Sequence, residues 1–187
     1  MNLYSKLSAR AANNNPLRVA IIGAGKFASM YLAQVHKTPG VHVAAIADLN
    51  PENVFSNLNR VGWSRAQYEA ASVDDAIRTG GTWVTEDWGK VIADPRIDIV
   101  IEATGNPPAA VEHILRSFEQ GKHVVNVTVE ADALCGPYLA RYARENNVIY
   151  SLAYGDQPAL ICDLVDWARA SGFRVVFKTT NYFINPR

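Results

Sequence analysis

Short apolar runs alternate with helical patterns along the chain from Leu17 onward. Leu17–Ile22 is rich in β-branched residues and stops at Gly23, and Val41–Ala47 is a second apolar run, so both are predicted to be strands. Further strands are predicted at 97–102, 123–127, 148–152 and 173–179, and helices at 26–37, from Asn50-Pro51-Glu52 onward, and at 107–120, 131–146 and 158–170. Strands that alternate with such helices predict βαβ units, and therefore an α/β fold with a doubly wound, mostly parallel sheet.

Two parts of the chain fit this alternation less well. Residues 1–16 are polar and are predicted to form an N-terminal arm, either frayed or packed as a short helix with Leu3, Tyr4 and Leu7 on one face. Residues 62–88 hold a possible helix at 73–78 and a possible strand at 82–85. We interpret this second stretch as the third crossover with an insertion, so one α/β domain is expected over 17–187.

Composition and charge exclude several classes of protein. The 187 residues carry 18 Lys plus Arg and 18 Asp plus Glu, so the formal net charge is zero, without the basic footprint of a nucleic-acid-binding protein. The sequence contains no run of 18 apolar residues and no apolar core of a signal peptide near its N-terminus. Cys135 and Cys162 form no short-spaced pair, and the four histidines lack ligand spacing. We therefore expect a cytoplasmic protein without a metal site.

A glycine-rich segment follows the first predicted strand. Residues 23–28 read Gly-Ala-Gly-Lys-Phe-Ala, which matches G-x-G-x-x-A between a strand and a helix. The first glycine permits a tight turn, the second lets the backbone approach a pyrophosphate, and the small last residue allows close packing of helix on strand. The helix N-terminus adds free N–H groups for the phosphates. The pattern predicts a Rossmann-type dinucleotide site with the cofactor-binding residues Gly23, Ala24, Gly25, Lys26, Phe27 and Ala28; a glycine-rich turn without a ligand is the alternative.

An acidic residue ends the second predicted strand. Asp48 lies 20 residues after Ala28, where a carboxylate can accept hydrogen bonds from the adenosine ribose hydroxyls. A 2′-phosphate would meet this carboxylate, so Asp48 favours NAD over NADP. Two alternatives stay open. Arg60, a helix away, could reach a 2′-phosphate, and Asp48 could simply begin the turn at 48–51.

Polar residues also follow the later predicted strands, at the edge where open α/β sheets bind ligands. Thr104, Gly105 and Asn106 are expected to line the cleft beside the dinucleotide, unless the segment is only a helix start. Glu130 is either an acid–base or substrate-binding group or a helix N-terminal carboxylate favoured by the dipole. Asp156 has a candidate substrate-side role or caps the helix that Pro158 starts. Glu130 and Asp156 are the candidate catalytic residues.

Three segments together resemble a known family. The Gly-Ala-Gly turn, Glu-Ala-Thr-Gly-Asn-Pro at 102–107 and Gly-Lys-His-Val-Val at 121–125 resemble the nucleotide-binding domain of homoserine dehydrogenase. Tyr-Gly-Asp-Gln-Pro at 154–158 is similar to a related group of oxidoreductases with a C-terminal SAF domain, which includes 1-deoxy-D-xylulose 5-phosphate reductoisomerase-like enzymes. The resemblance implies an NAD(P)-dependent enzyme and leans toward NADP.

The chain departs from this family in two respects. Homoserine dehydrogenases carry an Asn-Lys pair shortly after the Gly-Lys-His-Val-Val stretch, and that lysine is catalytic, whereas Thr128 and Val129 stand here. The family's chains continue into a substrate domain and an SAF domain, but this sequence ends at Arg187. We therefore expect either a fragment or a lone nucleotide-binding domain with weak or absent catalysis.

These observations predict an NAD(P)-dependent oxidoreductase, or its N-terminal cofactor-binding part. The resemblance implies a small polar carbonyl or alcohol as substrate, with a sugar phosphate among the candidates. A non-catalytic dinucleotide-binding or redox-sensing module is the alternative, and CoA or S-adenosylmethionine is a third class of ligand. We expect a homo-oligomer because related dehydrogenases associate, and no nucleic-acid or membrane partner.

Overall fold

The computed structural model describes residues 2–153 and 157–175, with the backbone alone at 157–160. The chain divides into two compact units, Met1–Tyr150 and Ser151–Arg187, and each is described by itself. The first unit contains the sheet and its helices up to the start of the last strand. The second unit contains the helix that follows.

One sheet with six strands organises the fold. The strands are β1 (Leu17–Ile22), β2 (Val41–Ala47), β3 (Trp83–Thr85), β4 (Ile99–Glu102), β5 (His123–Asn126) and β6 (Tyr150–Leu152), in the order β3-β2-β1-β4-β5-β6. The β1–β2, β1–β4, β2–β3 and β4–β5 pairs are all parallel. Ile22 of β1 is in register with Ala47 of β2 and with Glu102 of β4, so these three strands end together. Strand order reverses between β1 and β4, and such a point is where doubly wound sheets bind ligands.

Helices alternate with these strands along most of the chain. They are α1 (Leu3–Ala12), α2 (Lys26–Val35), α3 (Pro51–Arg60), α4 (Val73–Thr79), α5 (Trp88–Ala93), α6 (Pro107–Glu119), α7 (Val129–Glu145) and α8 (Gln157–Ala170), with a 3₁₀ turn at Arg65–Gln67. Two of them begin in the same way. Asn50 and Asn106 each accept a backbone N–H with the side-chain oxygen, and a proline fills the first helical position of α3 and of α6.

The core lies on both faces of the sheet. Alternate residues of β1 divide between the faces: Val19 and Ile21 pack on one side, while Ala20 and Ile22 pack on the other. Helix residues complete the two layers, with Leu32 on the first face and Phe118 on the second, both essentially inaccessible. Because both faces are covered, the strands are continuous apolar runs rather than alternating ones.

The predicted α/β fold is confirmed, and β1 and β2 have the predicted bounds. Several ends differ: β4 and β6 each begin two residues later than predicted, and β5 ends one residue earlier. In the predicted strand at 173–179, residues 173–175 have no regular secondary structure and 176–179 lie outside the described residues. Helix α7 begins earlier than predicted and is kinked at Cys135, two residues before Pro137, whose ring cannot fit an undistorted helix.

The polar N-terminal segment contains a helix, the second of the two alternatives for the arm. Asn2 caps α1 by accepting the N–H of Ser5. The helix lies close to the turn before β2, since a Cβ atom built on Gly40 would be 2.1 Å from the carbonyl oxygen of Leu7. The sequence did not predict α5, which is six residues long. So short a helix shows too little periodicity to be distinguished from a loop.

Candidate functional site

A cavity of about 450 Å³ lies at the carboxyl ends of β1, β2 and β4. Its walls include Gly23 and Gly25 from the β1–α2 turn, Asp48 from the end of β2, and Thr104 and Asn106 from the β4–α6 loop. These five residues come from three separate segments that the sequence singled out. The structure therefore brings them together at the point where strand order reverses.

The two glycines of the β1–α2 turn differ in what the fold requires of them. Gly23 has φ of +92°, and a Cβ there would lie 2.7 Å from the carbonyl carbon of Ala103, so the fold itself needs glycine. Gly25 has φ of −73°, and a Cβ there would meet no atom within 4 Å. Neither backbone conformation nor packing within the protein explains this second glycine. It leaves space for something that approaches the main chain from outside.

The N-terminus of α2 is open to an anion. Gly25 is the N-cap residue and has no side chain to accept the first helical N–H groups, and the first turn has no acidic residue. These N–H groups and the helix dipole favour negative charge. Ala28 is fully buried and packs with core residues, as expected for the small third position of the motif. Lys26 and Phe27 are exposed on the same first turn.

Asp48 lies beside this turn. Its Oδ2 accepts the N–H of Ala24 at 2.7 Å, and its Oδ1 accepts the N–H of Asn50 at 2.9 Å. The Nδ2 of Asn57 donates to the carbonyl oxygen of Ala24 at 2.8 Å, so the main chain of Ala24 is held from two elements. Asp48 thus accepts one N–H from the glycine-rich turn and one from the turn that starts α3, and its role toward a ribose stays a prediction.

A smaller cleft of about 210 Å³ continues from Asp48 along α3. Besides Asp48 and the glycine-rich turn, Asn53, Ser56 and Asn57 line it, and none of these described lining residues is Lys or Arg. Arg60 lies one turn further along. Its guanidinium donates to Asn57 Oδ1 at 3.0 Å and to Ser29 Oγ at 3.3 Å, so in this conformation its hydrogen bonds go to other protein side chains, of which Asn57 lines the cleft and Ser29 does not.

A buried carboxylate lies at the end of β4. Glu102 is 0% exposed, and its Oε1 accepts the hydroxyl of Thr104 at 2.6 Å and the Thr104 N–H at 3.2 Å. Its Oε2 accepts the hydroxyl of Thr128. His113 of α6 completes the group, with Nδ1 3.5 Å from Oε1 and the ring 4.6 Å from that of Trp88. We call Glu102, Thr104, His113 and Thr128 the Glu102 cluster. Thr104, His113 and Trp88 also line the cavity.

The sequence reasoning did not identify this cluster. The one available signal was Glu102 itself, an acidic residue as the last position of an otherwise apolar strand. Its partners could not be found the same way, because Thr128 is 26 residues away in sequence. Only the parallel pairing of β4 with β5 brings the two residues together.

A second polar group borders the cluster. The amide of Asn126 donates to the carbonyl oxygen of Thr128 and to the hydroxyl of Tyr150, both at 3.1 Å, and Tyr150 donates to Asp132 at 3.0 Å. Burial raises the pKa of Tyr150 well above its usual range. Burial also raises the pKa of the Cys135 thiol, so this cysteine is not an activated nucleophile.

The remaining predicted site residues lie at different positions. Gly105 is exposed, with φ of +68°, and its N–H donates to the hydroxyl of Thr128 at 3.0 Å. Glu130 is exposed in the first turn of α7. Asp156 lies outside the described residues. Lys122 lies at the amino end of β5, far from this edge; its ammonium donates to two backbone carbonyls, and burial lowers its pKa.

Residues 2–153 and 157–175 contain neither a cluster of metal ligands nor a membrane-spanning helix. Within this part of the chain, no three His, Cys, Asp or Glu side chains gather closely enough to hold a metal ion. None of its helices has both the length and the apolar character needed to cross a membrane.

Comparison with known proteins gives matches over most of the chain. The profile of a family described as an oxidoreductase family with an NAD-binding Rossmann fold matches residues 17–126. The homoserine dehydrogenase of Pseudomonas aeruginosa is 31% identical over 134 residues, which cover 72% of this chain and 28% of that protein. The chain thus spans little more than a quarter of this curated relative.

Solved structures show the same fold. A homoserine dehydrogenase from Thiobacillus denitrificans superposes with a TM-score of 0.63 at 22% identity, covering 83% of this chain and 34% of that one. A levoglucosan dehydrogenase in complex with NADH superposes with a TM-score of 0.52 at 22% identity, covering 84% of this chain and 40% of that one. The resemblance to a homoserine dehydrogenase-like NAD(P)-binding domain is confirmed. The further likeness to proteins with an SAF domain stays a prediction.

Proposed function

The chain belongs to the oxidoreductase family with an NAD-binding Rossmann fold, and we propose that it is the cofactor-binding part of an NAD(P)-dependent oxidoreductase. The observation that carries the proposal is Gly25. The protein needs no glycine there for its backbone or packing, yet this residue caps an open helix N-terminus beside Asp48. A pyrophosphate that contacts the main chain at Gly25 accounts for both features.

The adenosine half of the dinucleotide lies on the β1–β2 side in this proposal. Asp48 accepts the ribose hydroxyls, and the cleft along α3 receives the 2′ position. A carboxylate and three uncharged polar residues line that cleft, which suits a hydroxyl and opposes a phosphate. We therefore propose that the chain prefers NAD(H) over NADP(H), against the leaning that the family resemblance implied. Arg60 would have to leave Asn57 and Ser29 to contribute to a 2′-phosphate site.

The other half of the dinucleotide lies toward the loops after β4 and β5. The bound nicotinamide supplies hydride exchange with a substrate. Thr104, Gly105 and Asn106 flank it, and Glu130, exposed at the start of α7, is the candidate acid–base or substrate-binding group on this side. Asp156 is retained as a second candidate from the sequence. The proposed substrate is a small polar carbonyl or alcohol, with a sugar phosphate among the candidates.

A non-catalytic dinucleotide-binding or redox-sensing module is the second candidate function. It is favoured by Thr128 and Val129, which stand where the resemblance places an Asn-Lys pair with a catalytic lysine. One measurement distinguishes the two functions. An oxidoreductase exchanges hydride with a carbonyl or alcohol, whereas a sensing module binds the dinucleotide without turnover.

Parallel titrations with NADH and NADPH test the proposal. Trp88 lines the cavity, so energy transfer to a bound reduced nicotinamide should report binding, with calorimetry as the direct check. We expect NADH to bind more tightly, and Asp48→Ala to weaken it by roughly tenfold through loss of two hydrogen bonds to the ribose. The matched control is Asp75→Ala, which also removes a carboxylate that accepts a loop N–H, at Ala71, but lies outside the cavity lining. Binding of neither dinucleotide to the folded chain would refute the proposal, and a preference for NADPH would refute the role of Asp48.

The cellular setting is proposed in the same terms. We propose a cytoplasmic location, supported by the absence of a disulfide at Cys135 and Cys162. We also propose a homo-oligomer, supported by Leu134 and Tyr138, two apolar residues four positions apart on α7 that are 70% and 45% exposed. Sedimentation velocity on the purified chain checks the second statement, since a monomer at all concentrations would contradict it.

A further inference from the structure

We propose that Glu102 is a positioning residue, which acts through Thr104 and Thr128 to fix the two loops that receive the nicotinamide half of the dinucleotide. The inference rests on the proposed function. It concerns a buried group that neither the glycine motif nor the sequence resemblance assigns to any task. The loops are the β4–α6 loop with Gly105 and Asn106, and the β5–α7 loop with Thr128.

The hydrogen bonds of the cluster have a definite direction. Both carboxylate oxygens of Glu102 are acceptors, so the hydroxyls of Thr104 and Thr128 donate to them. Each hydroxyl then has its lone pairs free for a loop N–H. Thr128 accepts the N–H of Gly105 at 3.0 Å, and Thr104 accepts the N–H of Asn106 at 3.2 Å. One carboxylate therefore sets the orientation of two consecutive peptide groups through two threonines.

The N–H groups of Gly105 and Asn106 do not depend on the threonines for a hydrogen-bond partner. Gly105 and Asn106 are exposed, so water could satisfy their N–H groups. Burying a carboxylate is unfavourable, and a set of well-packed apolar residues in place of the whole cluster would fill the same space at a lower free-energy cost. The arrangement thus places a costly buried group where its effect is to restrict an exposed loop. Restriction of a loop in advance lowers the entropy lost when a ligand binds there.

The position of the loop relates the cluster to one half of the ligand. Doubly wound sheets of this order bind one mononucleotide half on each side of the point where strand order reverses. The glycine-rich turn and Asp48 belong to the β1–β2 side. The Glu102 cluster joins loops after β4 and β5 on the other side. Its loss should therefore weaken the binding of the nicotinamide ring and spare the adenosine half.

Comparison of NADH with ADP-ribose tests this split, because ADP-ribose lacks only the nicotinamide ring. Thr128→Val removes the hydroxyl at almost constant volume, so it disconnects Gly105 from Glu102. Thr128→Ser keeps the hydroxyl and should restore binding. The matched control is Thr82→Val, which also removes a buried threonine hydroxyl, one that donates to the carbonyl oxygen of Val43 at 2.6 Å away from the cavity lining. Dissociation constants come from calorimetry, and thermal unfolding is followed for each variant.

We expect Thr128→Val to raise the dissociation constant of NADH by about tenfold or more, while that of ADP-ribose changes by less than about twofold. Glu102→Gln should act in the same direction, because the amide nitrogen of Gln can only donate to a threonine hydroxyl. That hydroxyl loses the acceptor for its own proton and is no longer held with its lone pairs toward the loop N–H. Thr82→Val should lower stability and leave both affinities unchanged. The inference is overturned if Thr128→Val changes both ligands equally or neither. If the wild-type protein binds both ADP-ribose and NADH and Thr128→Val changes them equally or not at all, only the inference is refuted. If the wild-type protein binds neither ligand, the proposed function is refuted as well.

Discussion

The two sides of the cleft are built in different ways. On the β1–β2 side the ligand-facing surface is mostly main chain: a glycine-rich turn, a helix N-terminus and one carboxylate that already accepts the N–H of Ala24. On the β4–β5 side, buried side chains hydrogen-bond to the main chain of the loop. Glu102, which is inaccessible to solvent, is the central residue of these side chains. The first side offers backbone donors directly to an anion, whereas the second orders its loop through buried hydrogen bonds.

This difference determines which changes affect binding and which affect the fold. Where the main chain of the first side is exposed, as at Gly25, a substitution can prevent ligand binding with little change in the free energy of unfolding. On the side supported by a buried carboxylate, a substitution should lower both ligand affinity and stability, because removal of one partner leaves a buried polar group unpaired. The following variants test that distinction, beginning with the largest expected effect.

Replacement of Gly25 should abolish binding and leave the fold almost intact. Gly25→Val places a branched side chain where the pyrophosphate is proposed to meet the main chain, so NADH affinity should fall by at least about 100-fold, or about 2.8 kcal/mol. The free energy of unfolding should change by about 1 kcal/mol or less, because a Cβ at this position meets no protein atom. Only the preference of the N-cap position for glycine over valine is lost. Calorimetric titration and chemical denaturation measure the two effects. Gly25→Ala should show a smaller binding loss; unchanged NADH affinity in both variants would remove the main support for the site.

Replacement of Gly23 should mainly lower the stability of the fold, in contrast to replacement of Gly25. Gly23→Ala forces a side chain into the left-handed region and against the backbone of Ala103 and Thr104, so the free energy of unfolding should fall by about 2–4 kcal/mol. Gly80→Ala is the matched control, because Gly80 has a similar φ of +75° but its Cβ would meet no atom within 4 Å. Urea denaturation of the three proteins checks this. Equal destabilisation by the two substitutions would show that contact between β1 and β4 contributes nothing at Gly23.

The smallest effect is expected far from both sides of the cleft. Hydrogen bonding to Arg96 holds the pKa of Asp94 below its ordinary value of 3.8, so between the two values the unfolded chain binds more protons than the folded one. The stabilisation is therefore present above pH ~4 and is lost as the pH falls below it. Asp94→Asn should lower stability at pH 7 by less than about 1 kcal/mol and flatten this part of the pH profile. Denaturation from pH 2 to pH 7 measures it; a steeper profile in the variant, or altered NADH binding, would contradict the expectation.

The same contrast explains what could be predicted from the sequence. The bounds of β1 and β2, the glycine-rich turn and Asp48 were predicted because each depends on a short segment and a regular spacing. The Glu102 cluster was not predicted, because the cluster forms only when β4 pairs with β5 and brings Thr128 to a strand end 26 residues away. Helix α5 was missed because it is short, and the kink of α7 at Cys135 was not predicted. The roles of the predicted site residues stay predictions.

Amide chemical shifts measured during titration of the ¹⁵N-labelled chain test the central claim most directly. The account predicts that ADP-ribose shifts the amides of Gly25, Lys26 and Phe27, and that NADH shifts these and also those of Gly105 and Asn106. Such a result would place the part of the ligand that ADP-ribose shares with NADH on the β1–β2 side and the nicotinamide ring beside the β4–α6 loop. Spectra in which neither ligand moves the amides at 25–27, or in which ADP-ribose alone moves both sets to the same extent, would contradict it.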